Sequence, residues 1–233
     1  MVLLHGLGAD ARAFQRFERL LPPEWSVSAV NLLGHGDAPK PASGYSLEDH
    51  ASYVARLLRS LPGMPAAEDP PVLAGHSYGA AVAVATAALY PELIGQLVLL
   101  DPIVYRDDPN MESGTEQMIQ ARRTGRMGPT VDAIFADQSP ALRRWIADTW
   151  ESMSLGVLAE IDHNWMRFAP LVRVPVTIVH GDPERGSGGA ETTQFFTGPE
   201  VVHIPCAGHF LHATHAHETA TAVEAAIKSR ATA

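Results

Sequence analysis

Residues 71–84 read Pro71-Val72-Leu73-Ala74-Gly75-His76-Ser77-Tyr78-Gly79-Ala80-Ala81-Val82-Ala83-Val84. Val72, Leu73 and Ala74 make a short apolar run suited to a strand buried on both faces. The Ala/Val stretch after Gly79 suits a helix lying close on a sheet. Between them stands one serine flanked by two glycines. A strand that turns straight into a helix crowds the backbone at the corner, so the flanking positions must lack a Cβ, as Gly75 and Gly79 do. Ser77 is then held at a helix N-terminus, where the dipole and open N–H groups favour developing negative charge. Ser77 is therefore the candidate nucleophile.

Apolar runs like the one before Ser77 recur at residues 2–5, 27–31, 96–101, 174–180 and 200–204, all rich in Val, Leu and Ile. Longer stretches between them suit helices at residues 11–21, 46–61, 77–89 and 212–229. The second opens on Ser46 and Asp49, spaced like a capping box with Asp where Glu or Gln is usual. Strand and helix alternation of this kind gives the α/β class: a mostly parallel sheet of about six strands with helices on both faces. Residues 105–170 carry no strand pattern and are too long for a simple loop. They hold Trp145, Trp150 and Trp165 and five of the seven methionines. They are expected to form an inserted helical lid on a core of residues 1–104 and 171–233. Its Met and Trp side chains would divide between the lid's own core and a pocket wall.

Composition narrows the function. The 233 residues are 46% hydrophobic and 18% charged, enough for one large core, and the net charge of −9 argues against nucleic acid or an anionic membrane surface as a partner. The single Cys206 forms no internal disulfide, no signal peptide is visible and no run of about 18 apolar residues occurs, so the expected location is the cytoplasm.

Two further motifs join Ser77. His5-Gly6-Leu7-Gly8 follows the first apolar run. Acyl transfer needs two N–H donors aimed at the tetrahedral oxyanion. Tyr78, the residue after the nucleophile, supplies one, and Leu7, between two glycines, is best placed for the other. Gly208-His209-Phe210 follows the last apolar run, on a loop that can swing over the sheet edge. Of eleven histidines, His209 alone has both the chain order and the loop expected of the base that takes the Ser77 proton. His212, His215 and His217 on the final helix lack the carboxylates or cysteines of a metal shell and read as solvated helix surface. No metal is expected. Gly34-His35-Gly36 lacks the Lys and Ser/Thr of a phosphate loop and reads as a turn at the pocket rim.

The series His5-Gly6-Leu7-Gly8, Gly34-His35-Gly36-Asp37, Gly75-His76-Ser77-Tyr78-Gly79, Leu99-Leu100-Asp101-Pro102, His180-Gly181-Asp182 and Gly208-His209-Phe210 resembles the α/β-hydrolase superfamily. The resemblance implies a Ser–His–acid triad, an oxyanion hole from Leu7 and Tyr78, a helical cap and no cofactor. It leaves three candidates for the acid. Asp182 is preferred, because Asp182-Pro183 resembles a form of the family in which that Asp is the acid. Glu184 stands where the commoner form places it, and Asp101 follows the preceding strand, a site some relatives use. The chain starts two strands later than many relatives, so the sheet would gain an edge in need of protection. A truncated start or a homodimer edge would each account for it. The activity implied is cleavage of an ester-like bond in a partly apolar small molecule, as by a carboxylesterase or lactonase. Thioester and carbon–carbon cleavage use the same triad, and a non-catalytic small-molecule receptor on the same fold is the alternative of another class.

Overall fold

The computed structural model describes residues 1–60, 70–104, 109–136, 138–185, 187 and 190–231. Six strands, β1 (Val2–Leu4), β2 (Ser28–Val30), β3 (Val72–His76), β4 (Gln96–Leu100), β5 (Val176–His180) and β6 (Glu200–His203), form one sheet in the order β2-β1-β3-β4-β5-β6. Every pairing is parallel. Parallel neighbours need crossovers, and the helices provide them on both faces.

Side-chain alternation divides the strands between two cores. Val2, Leu4, Leu73, Leu97, Leu99 and Ile178 face one way, and Leu3, Ala74, Val98, Leu100 and Val179 face the other. A short helix α1 (Gln15–Glu18) belongs to the second face, while α2 (Leu47–Ser60) and α3 (Tyr78–Leu89) cover the first. Helix α3 is buried over most of its length. Its small residues let it approach the sheet closely: a Cβ on Gly79 would stand 2.2 Å from the Leu4 carbonyl oxygen.

Local chemistry sets the boundaries. At the start of α2, the Asp49 N–H donates to Ser46 Oγ (3.1 Å) and the Asp49 carboxylate accepts the Ser46 N–H (3.1 Å), so aspartate completes the capping box. The stretch expected as one helix at 11–21 is a 3-10 turn, Ala11–Phe14, running into α1. The Asp10 carboxylate caps that turn through the Arg12 N–H (2.9 Å), and Pro22-Pro23 follow soon after. Asp101 lies one residue beyond β4 rather than inside it, in a left-handed conformation with φ 47°.

Between β4 and β5 run α4 (Pro109–Arg123), α5 (Met127–Ile134), α6 (Pro140–Ser152) and α7 (Leu155–Glu160). Arg122 ties them together, donating from Nη1 to the Trp150 and Met153 carbonyls (3.0 and 2.9 Å) at the end of α6, where a cation is favoured. The group is fixed to the loop after β2. Ser154 N–H donates to the Gly34 carbonyl (2.8 Å), and the Glu160 carboxylate accepts the Gly44 and Tyr45 N–H groups. Trp165, placed by sequence with this insertion, is instead buried in the sheet core, with its Nε1–H on the Ile103 carbonyl (2.8 Å). Residues 105–108 of the insertion lie outside the described residues.

The final stretch is two helices, α8 (Leu211–Thr214) and α9 (Ala216–Ala231). They part at His215, and the Thr219 hydroxyl donates to the Leu211 and His215 carbonyls at the junction (3.2 and 2.8 Å). The β2 edge carries its own protection. Ser28 N–H points inward to Met1 O (3.0 Å), while the outward Ala29 N–H is taken by the Glu18 carboxylate (3.2 Å). A charged side chain on an edge N–H blocks pairing by another strand.

Candidate active site

The corner after β3 is as tight as its glycines require. A Cβ on Gly75 would lie 2.2 Å from the Gly79 carbonyl oxygen, and Ser77 sits at φ 53°, ψ −117°. A non-glycine residue in that region costs about 1–3 kcal/mol and persists only where its surroundings enforce it. Here the Ser77 N–H is fixed on the Leu100 carbonyl (3.0 Å), the last residue of the neighbouring β4. The side chain emerges at the head of α3.

Ser77 Oγ lies 3.0 Å from His209 Nε2, and His209 Nδ1 lies 2.5 Å from Asp101 Oδ2. Asp101 is fully buried. Its second oxygen accepts the Ser187 hydroxyl, and Ser187 Oγ in turn accepts the Gly181 N–H (3.0 Å). The His209 loop is held by His76, whose Nε2–H donates to the His209 carbonyl (2.8 Å). A serine hydroxyl, an imidazole and a buried carboxylate in this sequence can move a proton from the hydroxyl and stabilise the imidazolium that results.

The structure does not bring Asp182, the preferred candidate for the acid, to His209. The Asp182 Oδ1 is 2.7 Å from His203 Nε2, and its Oδ2 accepts the Cys206 N–H (2.8 Å). The Cys206 N–H, followed by His203 and Arg185, holds this carboxyl below the usual carboxylate range. Asp182 follows β5, which pairs with β6, His180 being in register with His203, and its carboxylate is held there by the His203 ring and the Cys206 N–H. Asp101 leaves β4, the neighbour of β3, and its left-handed turn carries it to His209. Glu184 is exposed on the 3-10 turn Pro183–Arg185 and is not brought to His209.

Leu7 and Ser77 line the same cavity, and Tyr78 follows Ser77 in the chain. Tyr78 is the first residue of α3. The Leu7 N–H makes no hydrogen bond among the described residues, whereas the next N–H, of Gly8, donates to His35 Nε2 (3.1 Å). His35 is fixed in turn by Nδ1–H donation to the Leu33 carbonyl (3.0 Å), and His5 Nε2 accepts the Leu32 N–H (3.0 Å). Each contact needs an imidazole with a free lone pair. Burial supplies that state, lowering His5 well below its usual value and His35 to about 4. Neither role was legible in the sequence beyond the turn motifs that contain them.

A cavity of about 650 Å³ opens on Ser77 and His209. Most of the wall from α4–α6 is apolar and includes Met118, Ile134, Phe135, Trp145 and Trp150. The Trp150 ring lies over Gly8, where a Cβ would come within 2.4 Å of it. His163 and His212 also line the cavity, and burial lowers them to about 4 and about 3. For His212 this corrects the reading as solvated surface: it is 2% exposed, turned inward by α8.

A family model described as "Alpha/beta hydrolase family" matches residues 1–222. The 2-(acetamidomethylene)succinate hydrolase of Mesorhizobium japonicum is 35% identical over 101 residues, 43% of this chain and 34% of that protein. Lipase LipV of Mycobacterium tuberculosis is 34% identical over 119 residues, 51% of this chain and 43% of that protein. The matches thus span less than half the length of these curated relatives. The crystal structure of an E-2-(acetamidomethylene)succinate hydrolase superposes with a TM-score of 0.76 at 24% identity, covering 98% of this chain and 91% of that one, a likeness of fold.

Proposed function

The chain belongs to the alpha/beta hydrolase family, and on that premise we propose that it is a serine hydrolase cleaving an ester-like bond in a largely apolar small molecule. The observation that carries the proposal is the hydrogen-bonded series Ser77–His209–Asp101 at the edge of a mostly apolar cavity. His209 Nε2 takes the hydroxyl proton as Ser77 Oγ attacks the carbonyl carbon. Asp101 holds the Nδ1–H and stabilises the imidazolium. The N–H groups of Leu7 and Tyr78 receive the oxyanion. His209 then returns the proton to the leaving oxygen, and water, deprotonated by the same imidazole, releases the acid from Ser77.

The cavity volume is in the range that holds a drug-sized ligand, and α4–α6, which wall it, act as its cap. The aromatic and methionine wall favours apolar substituents beside the scissile bond. No step calls for a cofactor.

Release of p-nitrophenol from short and medium acyl esters tests the reading. Turnover by the wild type and its loss by at least about 10⁴-fold in Ser77→Ala is the expected outcome. Equal inactivity of both proteins, with apolar ligands still bound, would leave the receptor reading in its place.

A further inference from the structure

His212 is buried in a place where packing alone does not call for a nitrogen. Its ring lies 4.2 Å from that of His76 and 4.9 Å from that of Phe14, and it borders the same cavity as Ser77 and His209. A phenylalanine would stack there equally well. Its Nδ1 is buried and has no hydrogen-bond partner among the described residues. Buried polar groups normally find a partner, in the protein or in a ligand or water.

A neutral imidazole carries one N–H and one bare lone pair. A sealed N–H without an acceptor costs more than a sealed lone pair, which puts the hydrogen on Nε2. Nε2 is the nitrogen that is not sealed, on a ring that forms part of the cavity wall, and it too donates to no protein group among the described residues. Among the described residues, the wall around His212 offers no unmatched charge. Arg12, on the 3-10 turn beside it, has Nε and Nη2 on the Asp10 carboxylate (2.9 and 2.6 Å). Burial keeps His212 itself uncharged at neutral pH. A substrate anion would be desolvated here without a counter-charge, whereas an uncharged oxygen needs only a donor.

We propose that His212 is a specificity-determining residue whose Nε2–H receives an uncharged acceptor oxygen of the substrate, such as a keto, amide or ether oxygen. The cavity then selects amphipathic esters: apolar groups against Met118 and Trp150, one neutral oxygen on His212. This rests on the cavity being the substrate site, and it adds which substrates that site prefers.

The test uses the full chain carrying Ser77→Ala, so that intact esters can be bound without turnover. Matched esters differ by one keto carbonyl in place of a methylene, moved stepwise along the acyl and the alkoxy chains. Affinities are read from the fluorescence of Trp145 and Trp150, which line the cavity. For at least one position, His212→Phe should lower the keto-to-methylene affinity ratio by about threefold to tenfold, the worth of one hydrogen bond. His212→Gln, which keeps an N–H donor, should recover part of it. A ratio unchanged by His212→Phe at every position, or binding of no ester, overturns the proposal. So does an imidazole nitrogen–proton NMR spectrum of the wild type showing the hydrogen on Nδ1 of His212, a readout that needs no variant to fold. Absence of ester turnover by the wild type is a separate result: it removes the hydrolase reading while the binding ratios still decide the role of His212.

Discussion

Asp101 owes its place to one backbone angle. With φ at 47° it leaves β4 in a conformation that most side chains avoid and aspartate tolerates better than most. The turn is held by its N–H on the Val179 carbonyl (2.7 Å), and the carboxylate receives both His209 and the Ser187 hydroxyl. Asp101→Asn presents an amide N–H₂ or a weaker acceptor to His209 Nδ1, which disfavours the tautomer able to accept the Ser77 proton. Its kcat on a p-nitrophenyl ester should fall by about 10³–10⁴-fold. Asp182→Asn should stay within about threefold, because Asp182 engages His203 and the Cys206 N–H at the surface of the β5–β6 edge. A larger loss in Asp182→Asn than in Asp101→Asn would return the acid to Asp182. Sequence reasoning held both residues as candidates and ranked them by a dipeptide, Asp182-Pro183, that says nothing about which strand is the neighbour of β3.

At the scale of elements, the closeness of α3 to β1 is what aims Ser77 at the cavity. The contact has no slack: a Cβ on Gly79 would meet the Leu4 and His5 carbonyl oxygens at 2.2 and 2.5 Å. Both are backbone atoms, so neither can rotate away. Gly79→Ala must push the helix off the sheet and should destabilise the protein by about 3 kcal/mol, read from urea melts. Gly128 in α5 is the contrast, with nothing within 4 Å of its Cβ position. Gly128→Ala should be neutral or stabilise by up to about 1 kcal/mol through helix propensity. Equal destabilisation by both substitutions would show that helix propensity, not the approach of α3 to β1, governs the first. The glycine pair around Ser77 was readable because a strand-to-helix corner is a local constraint. The break between α8 and α9 was not, since it depends on where the Thr219 hydroxyl finds its acceptors.

For the whole molecule, histidine burial links stability to pH. His5, His35, His50, His76, His163 and His212 are all lowered from the ordinary 6.5, burial being the largest cause in each case. Burial takes His35 and His163 to about 4 and His50 and His212 to about 3. Below pH 6.5 the unfolded chain takes up protons that the folded chain refuses, so unfolding gains ground as pH falls. The stability is fully present above pH 6.5 and is lost progressively towards pH 4 and below, by up to about 1.4 kcal/mol per pH unit for each such histidine. Tm measured by circular dichroism should therefore drop steeply between pH 6.5 and 4.5. A flat profile across that window would mean that these imidazoles are not held neutral by burial.

By itself the sequence determined the α/β class, the parallel strands, the serine corner and the late histidine, because each is written in neighbouring residues: apolar runs, a glycine on each side of Ser77, a loop after the last strand. Which carboxylate meets His209, which histidines prop the loop at Leu7, and that His212 turns inward were decided only by the tertiary structure. Those outcomes depend on strand order and on packing between segments far apart in the chain, such as Gly8 against Trp150 and Asp101 beneath His209. Local spacing carries no information about either.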